Sequence, residues 1–180
     1  MTGADDGGAA QPAAPDPALL EQYCFGCGRH NPIGLHLVFE RVDGGVLARY
    51  RPRPEDQGFP LRMHGGLMAL LLDEAMGWAM YTDGVFAVTA RMETRYRRPV
   101  PLSDELVARS TITRRRGRRI EVEATLADAA GAVLVEASAL FLRMPAADEA
   151  RALASFRVGA AGGAPHDEPA PVNPRSLPPR

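Results

Sequence analysis

The sequence predicts an α+β fold in which an antiparallel sheet wraps around one long central helix, in the order ββαββββ. Residues 64–80 form the single long helical segment, and it is apolar on every side. Runs rich in alternating or β-branched apolar residues lie before and after this segment. The connections between the later runs are too short to hold crossover helices, which indicates antiparallel pairing.

The strand runs are separated by turn residues. Asp43-Gly44-Gly45 tolerates positive φ and predicts a hairpin between the first two strands. In the fifth strand, apolar residues alternate with glutamates, the pattern of a half-buried antiparallel strand. The predicted strands cover residues 34–41, 46–51, 86–98, 105–115, 118–126 and 133–143.

Composition indicates one globular domain. The chain has 180 residues, of which 46% are hydrophobic and 24% charged, and its net charge is −1. This charge gives no general attraction to nucleic acid or to an anionic membrane, so we expect neither as a partner. The domain is predicted at residues 19–146, between a disordered tail at 1–18 and a mostly disordered Ala/Gly/Pro-rich tail at 147–180.

The sequence favours a soluble, cytoplasmic protein. The acidic N-terminus lacks the basic and apolar regions of a secretory signal. Asp73 and Glu74 interrupt the most apolar stretch at its middle, which argues against a membrane span. Cys24 and Cys27 are the only cysteines, too few for the disulfide framework of a small secreted protein.

The two helix carboxylates are candidate functional groups. Within an apolar helix, Asp73 and Glu74 are costly unless they are solvated, paired or used in chemistry. Adjacent helical residues point about 100° apart, so at most one of the two faces a given site. An ordinary salt bridge or a path to solvent remains an alternative for either.

Short motifs follow one another in a specific order between residues 24 and 144. They are Cys24-Phe25-Gly26-Cys27-Gly28, Asn31-Pro32-Ile33-Gly34-Leu35, Gln57-Gly58-Phe59-Pro60, His64-Gly65-Gly66, Leu71-Leu72-Asp73-Glu74-Ala75-Met76-Gly77, Val88-Thr89-Ala90 and Arg95-Tyr96-Arg97-Arg98-Pro99. In this order they resemble the phenylacetate-pathway (PaaI-like) type of hotdog-fold acyl-CoA thioesterase. The resemblance implies a hotdog fold that hydrolyses a small, medium-chain or aromatic acyl-CoA, with no cofactor beyond the CoA of the substrate.

The resemblance also implies catalytic roles. Asp73 matches the helix carboxylate that attacks the thioester carbonyl or activates water. The Gly65 amide matches the group that polarises this carbonyl, as unpaired N–H groups at a helix N-terminus can. His64 either positions the motif or the carbonyl, or is an ordinary capping or core histidine. Thr89 matches a Ser or Thr that holds water or orients the carboxylate, although a strand threonine is often only structural.

Substrate-binding roles are expected for a second set of residues. Some members carry an Asn six residues before the His, where this chain has Gly58, and Gln57 is the candidate replacement. Arg118 and Arg119 lie in a basic hairpin tip, which is either a solvated turn or a site for the CoA phosphates. The full set is Gln57, Gly66, Glu74, Arg118 and Arg119.

Helix geometry predicts an oligomer. Gly65 and Asp73 are eight residues apart, or about 12 Å along a helix axis, yet both are needed within roughly 3–4 Å of one thioester carbon. We therefore expect a homodimer or homotetramer in which Gly65 of one subunit faces Asp73 of the other, as the resemblance implies.

The sequence also offers alternatives to hydrolysis. Cys24, Cys27, His30 and His36 can be counted as four zinc ligands, but their spacing is shorter than in zinc fingers, so we expect no metal and favour a packing loop. A redox role lacks the flanking strand and helix of a thioredoxin-like site. The remaining alternatives are a non-catalytic acyl-CoA-binding hotdog module and a hotdog hydratase or dehydratase.

Overall fold

The structure, a computed structural model, describes residues 19–160, with side chains through residue 154. The predicted tail at 1–18 and the residues after 160 lie outside this part of the chain. The elements are β1 Phe39–Val42, β2 Gly45–Tyr50, α1 Gly65–Tyr81, β3 Ala87–Tyr96, β4 Leu106–Arg116, β5 Arg119–Asp128, β6 Val133–Arg143 and α2 Ala146–Ala160. The predicted order ββαββββ is confirmed, and α2 follows it.

The six strands form one antiparallel sheet in the order β1-β2-β4-β5-β6-β3. The helix α1 packs against one face of this sheet. In β5, Ile120, Val122, Ala124 and Leu126 are buried while Glu121 and Glu123 are exposed, which confirms the alternation predicted from the sequence. β3 stands at one edge of the sheet. Neither helix in the described residues is long and apolar enough to cross a membrane.

The helix α1 is covered on two sides. Leu71, Leu72 and Met76 belong to the main core with the sheet, and each has no exposed surface. Trp78 belongs to a second cluster that includes Leu19 and Cys27 of the N-terminal segment. The N-terminal segment thus covers part of α1 that the sheet does not reach, which explains why this helix is apolar on every side.

The first strand is shorter than predicted. The prediction placed it at residues 34–41, but β1 begins at Phe39. His36 has a φ of 52°, which interrupts extended backbone. The N–H groups of Leu35 and Leu37 donate to the carbonyls of Phe25 and Gly26 in the N-terminal loop at 2.8 and 2.9 Å. Residues 34–38 therefore pair with this loop instead of extending the hairpin.

The helix α2, Ala146–Ala160, lies in the first part of the segment that the sequence predicts as a mostly disordered tail from residue 147. Its first turns are rich in alanine, the best helix former, and Asp148 and Glu149 lie in the first turn, where negative charge favours a helix. The carbonyl of Pro145 accepts the N–H groups of both acids at 2.9 and 3.0 Å. The Ala/Gly/Pro composition of the whole segment hid this local helix signal.

A buried carboxylate organises the loop before α1. Asp56 ends a short 3₁₀ turn, Pro54–Asp56, and is 1% exposed. It accepts hydrogen bonds from the Tyr50 hydroxyl, the Arg53 guanidinium at 2.9 Å and the Arg53 N–H at 2.7 Å. Burial raises the pKa of Asp56, but the hydrogen bonds from Arg53 and Tyr50 outweigh it and hold this pKa below its usual value. The Asp56 carbonyl accepts the N–H of His64 at 2.8 Å, so this loop fixes the chain at the start of α1.

We predict that Asp56→Asn lowers the free energy of unfolding by about 1–3 kcal/mol at neutral pH, because the amide cannot accept all of these donors. The folded-state pKa of Asp56 is depressed, so its stabilisation is complete above about pH 5 and is lost as the pH falls through the folded pKa. Urea unfolding at several pH values measures both effects. Asp43→Asn, in an exposed turn, is the control; an equal loss there, or a pH-independent difference, would contradict the prediction.

Candidate active site

The start of α1 is shaped by His64. Its Nδ1 accepts the N–H of Gly66 at 3.0 Å, and the side chain caps the helix. The ring is exposed, and Nδ1 is committed to this cap. In the structure, His64 has the capping role that the sequence offered as one alternative. The Gly66 amide is occupied by this cap.

Gly65 carries the available amide at this helix start. Its N–H has no hydrogen-bond partner among the described residues, as expected for the first helical position. The Tyr96 hydroxyl, from the end of β3, donates to the Gly65 carbonyl at 2.9 Å. A Cβ atom at Gly65 would lie 3.7 Å from the Tyr96 ring, which is ordinary contact. The half-buried Gly65 amide is thus held in place while remaining free to donate to a ligand.

Asp73 and Thr89 form a pair between α1 and β3. The Thr89 hydroxyl donates to Asp73 Oδ1 at 2.8 Å, and no hydrogen bond to Oδ2 occurs within the described residues. Thr89 lies opposite Phe141, whose side chain is buried in the core, and the register of β3 shifts between Thr89 and Arg91. Such irregularities redirect side chains and are frequent near active sites. The structure brings together these two predicted catalytic residues.

Glu74 points to a different part of the molecule. Its Oε1 accepts the thiol of Cys24 at 3.1 Å, in the N-terminal loop. Burial, followed by the nearby Cys24, raises the pKa of Glu74 to about 8. The structure does not bring Glu74 together with the Asp73–Thr89 pair, and its predicted substrate-binding role stays a prediction. The rotation of about 100° between adjacent helical positions explains the separation.

The loop before His64 holds the remaining predicted residues of this region. Gln57 is exposed, and its Oε1 accepts the Leu61 N–H at 2.9 Å, within the loop. Leu61 has a φ of 62°, so this bond accompanies a tight reversal of the chain. A Cβ atom at Gly58 would lie 3.0 Å from His64 Cα, which explains why a side chain is disfavoured there. The Gln57 side chain thus stabilises the loop through its hydrogen bond to Leu61. The absence of a side chain at Gly58 allows the loop to pack against His64.

The basic hairpin tip lies at the same end of the sheet as Thr89. Arg119 is opposite Leu142 of β6, which is opposite Val88 of β3. Two strand spacings, about 10 Å, therefore separate Arg119 from the residue beside Thr89. Arg118 is exposed, and its Nε donates to the Arg143 carbonyl at 3.0 Å. Ile120, next to Arg119, is opposite the buried Phe141, as Thr89 is, so the Arg119 side chain begins on the other face of the sheet from Thr89.

The four-ligand set counted from the sequence is not assembled. His30 is exposed and pairs with Glu21 at 3.0 Å, and His36 is exposed at its positive-φ position. Among the described residues, Cys24, Cys27 and Glu74 are instead the one group with metal-ligand geometry. Sequence reasoning missed the contribution of Glu74 to this group.

Sequence reasoning also missed the role of Tyr96, which entered only as part of a motif. A tyrosine that ends a strand next to three arginines carries a weak signal, because its bond to Gly65 joins residues 31 positions apart. Only the packing of α1 on β3 brings them together.

The sequence is similar to those of known thioesterases. The family model of the thioesterase superfamily matches residues 62–135, which include α1 and the β3 strand. Mouse acyl-coenzyme A thioesterase THEM4 is 28% identical over 109 residues, covering 60% of this chain and 47% of the mouse protein. The chain therefore spans about half the length of this relative.

Solved structures agree on the architecture. RHA08564, a thioesterase superfamily protein, has a TM-score of 0.62 and 34% identity, covering 64% of this chain and 60% of its own. E. coli PaaI, from the phenylacetic acid degradation operon, has a TM-score of 0.58 and 17% identity, covering 62% of this chain and 81% of its own.

One antiparallel sheet wrapped around a long central helix is the architecture of the hotdog fold, and the predicted hotdog fold is confirmed. The chain is similar to the thioesterase superfamily over residues 62–135, and its fold is that of the solved thioesterase superfamily protein RHA08564.

We predict that Tyr96→Phe loosens the start of α1, because it removes one hydrogen bond to the Gly65 carbonyl, about 0.5–1.5 kcal/mol. Amide hydrogen exchange in residues 64–68 should rise by about two- to tenfold. Mass spectrometry of peptides covering this turn measures the rates. Tyr23→Phe, which removes an exposed hydroxyl from the N-terminal segment, should leave these rates unchanged; equal rates in wild type and Tyr96→Phe would contradict the prediction.

Proposed function

We propose that this protein is an acyl-CoA thioesterase that hydrolyses a small, medium-chain or aromatic acyl-CoA to the free acid and CoA. The observation that carries the proposal is a pair of groups suited to this reaction: an unpaired Gly65 amide at a helix start and an Asp73 carboxylate oriented by Thr89. The name of the mouse relative, an acyl-coenzyme A thioesterase, supports the same class of substrate.

We also propose that the protein is of the PaaI-like type and acts in the reducing cytoplasm, where its two free cysteines stay reduced.

In the proposed reaction, Asp73 supplies the base or the nucleophile. Because Thr89 holds Oδ1, Oδ2 is left to accept a proton from water or to attack the thioester carbon itself. The carbonyl oxygen gains negative charge as the tetrahedral intermediate forms, and the Gly65 N–H stabilises it with the positive end of the α1 dipole. Collapse of the intermediate breaks the C–S bond, and the CoA thiolate takes up a proton. In the nucleophilic route, water then hydrolyses the acyl-Asp73 anhydride.

We propose that the active site is shared between two subunits. Gly65 and Asp73 lie eight residues apart on α1, about 12 Å along the helix axis, and one chain cannot present both to one carbon. β3 carries Thr89 and is an edge strand of the sheet, and such edges are commonly covered by pairing. A two-fold dimer joined at this edge would bring Asp73 of one subunit toward Gly65 of the other, and dimers could pair into a homotetramer.

The nucleotide end of CoA is proposed to lie along the basic hairpin. Arg119 is exposed, on a strand two positions from β3, and can pair with phosphate in a bidentate manner. Arg118 has one bond to the Arg143 carbonyl and keeps its other donors. Gln57 and Gly66 lie in and beside the loop that leads to the helix start, where the acyl end would enter.

We predict that Asp73→Asn lowers kcat by about 10²–10⁴-fold, because an amide can neither accept the proton nor attack the carbonyl. The measurement is thiol release from short-chain, medium-chain and phenylacetyl-CoA. Glu123→Gln, the same chemical change on the exposed face of β5, is the control and should retain wild-type rates. CoA binding without turnover by wild-type protein would favour a binding module, and full activity in Asp73→Asn would overturn the assignment of the base.

We predict that Gly65→Pro lowers kcat by about 10²–10³-fold, because it removes the amide that stabilises the oxyanion. Proline suits this position: it is the first residue of α1, and His64 before it is extended, with φ −67° and ψ 132°. Gly65→Ala is the matched control, since it keeps the N–H and its Cβ fits against Tyr96.

Mixing the two inactive variants tests the shared site. In a dimer that pairs Asp73→Asn with Gly65→Pro, one of the two sites has both wild-type groups. The isolated mixed dimer should therefore recover about half of wild-type activity, and a random mixture about a quarter. The variants are co-expressed with different tags, and the mixed dimer is isolated. No recovery in an isolated mixed dimer would place both groups in the same chain and contradict the proposal.

A further inference from the structure

A cluster of two thiols and a carboxyl lies on the side of α1 that faces the N-terminal loop. One ligand atom each from Cys24, Cys27 and Glu74 lies within 4.8 Å of the other two. Cys27 is 4% exposed, and Cys24 is half-buried with its thiol 3.1 Å from Glu74 Oε1. The proposed hydrolysis uses none of these side chains, because Asp73 faces Thr89 instead.

The backbone around Cys24 forms a tight turn. The Gly28 N–H donates to the Cys24 carbonyl at 3.0 Å and closes the turn. A Cβ atom at Gly28 would lie 2.4 Å from main-chain atoms of Cys24 and Gln22, so the turn requires glycine. A Cys-x-x-Cys turn of this kind presents two sulfurs at the spacing of paired metal ligands.

A buried indole gives an independent indication. Trp78 is 3% exposed, and its Nε1 has no hydrogen-bond partner in the described part of the chain. The indole N–H faces Cys27, which packs in the same buried cluster. Buried N–H groups are rarely left unpaired, and a metal-bound thiolate is a suitable acceptor.

The loop closes directly on the third group. A Cβ atom at Gly26 would lie 2.2 Å from Glu74 Cγ, so the absence of a side chain there lets the carboxylate reach the cysteines. Thiolates and a carboxylate are ligands that zinc binds in tetrahedral geometry. Together these three groups would bring three negative charges into a partly buried space, which a divalent cation would compensate.

We propose that Cys24, Cys27 and Glu74 form a Zn²⁺ site, with two thiolates and one carboxylate as ligands and water in the fourth position. Binding releases the thiol protons to solvent, and the carboxyl proton where it is present. The ion joins the N-terminal loop to α1 at the residue next to Asp73, and so acts as a structural link. This inference does not depend on the proposed hydrolysis.

The test uses tag-free, full-length protein purified without chelators. We expect a stoichiometric zinc ion per chain by mass spectrometry of the metal content. Replacement by Co²⁺ should give a thiolate-to-cobalt charge-transfer band. Cys24→Ser, Cys27→Ser and Glu74→Gln should each weaken Zn²⁺ affinity by at least about tenfold, measured by competition with a chromogenic chelator. The matched control is Glu21→Gln, which changes an acid of the same segment that pairs with Arg29 and His30.

Three results would overturn the proposal. The first is wild-type protein that binds no Zn²⁺ at micromolar concentrations and shows no cobalt charge-transfer band. The second is a Cys24–Cys27 disulfide in protein purified under reducing conditions. The third is an equal loss of affinity in Glu21→Gln. If the cysteine variants fail to fold by circular dichroism, the wild-type cobalt spectrum and a rise in Tm on adding Zn²⁺, absent in Glu74→Gln, decide the question.

Discussion

The burial of α1 is the constraint on which the rest of the structure depends. Gly65–Tyr81 is apolar on every side, so packing a sheet against one face would leave apolar surface in water on another. The N-terminal segment supplies the second cover, since Leu19 and Cys27 pack with Trp78. With both covers in place, polar groups of the helix must either find partners in one of these layers or lie at the gap between them.

The two adjacent carboxylates of α1, Asp73 and Glu74, find different hydrogen-bond partners. Their directions differ by about 100°, so Asp73 meets the edge strand at Thr89 while Glu74 meets the N-terminal loop at Cys24. Asp73 therefore stays half-buried beside a strand edge, where a ligand can approach. Glu74 enters a more enclosed space, and its pKa rises because burial disfavours its charged form. Two adjacent residues of α1 thus differ in environment: Asp73 is accessible at the strand edge, and Glu74 connects the helix to the N-terminal loop.

Most of the fold followed from sequence periodicity, whereas the site did not. The alternation in β5 and the long apolar segment gave their elements nearly to the residue, because burial imposes periods of 2.0 and 3.6. Because α1 is apolar on every side, its sequence does not show which side of the helix faces the sheet. The different partners of Asp73 and Glu74 therefore could not be predicted from residue spacing. The pairing of Asp73 with Thr89 was reached only through the family resemblance. His36, with its positive φ, and Tyr96, with its bond across the chain, depend on tertiary contacts that leave no local pattern.

The N-terminal loop and the loop before α1 both contact the helix that carries Gly65 and Asp73. The Asp56 carbonyl holds the His64 N–H, and Tyr96 holds the Gly65 carbonyl, so the direction of the free Gly65 amide is set before any ligand arrives. A donor fixed in this way needs no reorganisation when charge develops on a carbonyl oxygen. At the middle of the helix, the contact of Glu74 with Cys24 restrains the backbone that also carries Asp73. Asp56 and Cys24 lie outside the superfamily match at residues 62–135, so the segment before the match contributes to the geometry of the helix inside it.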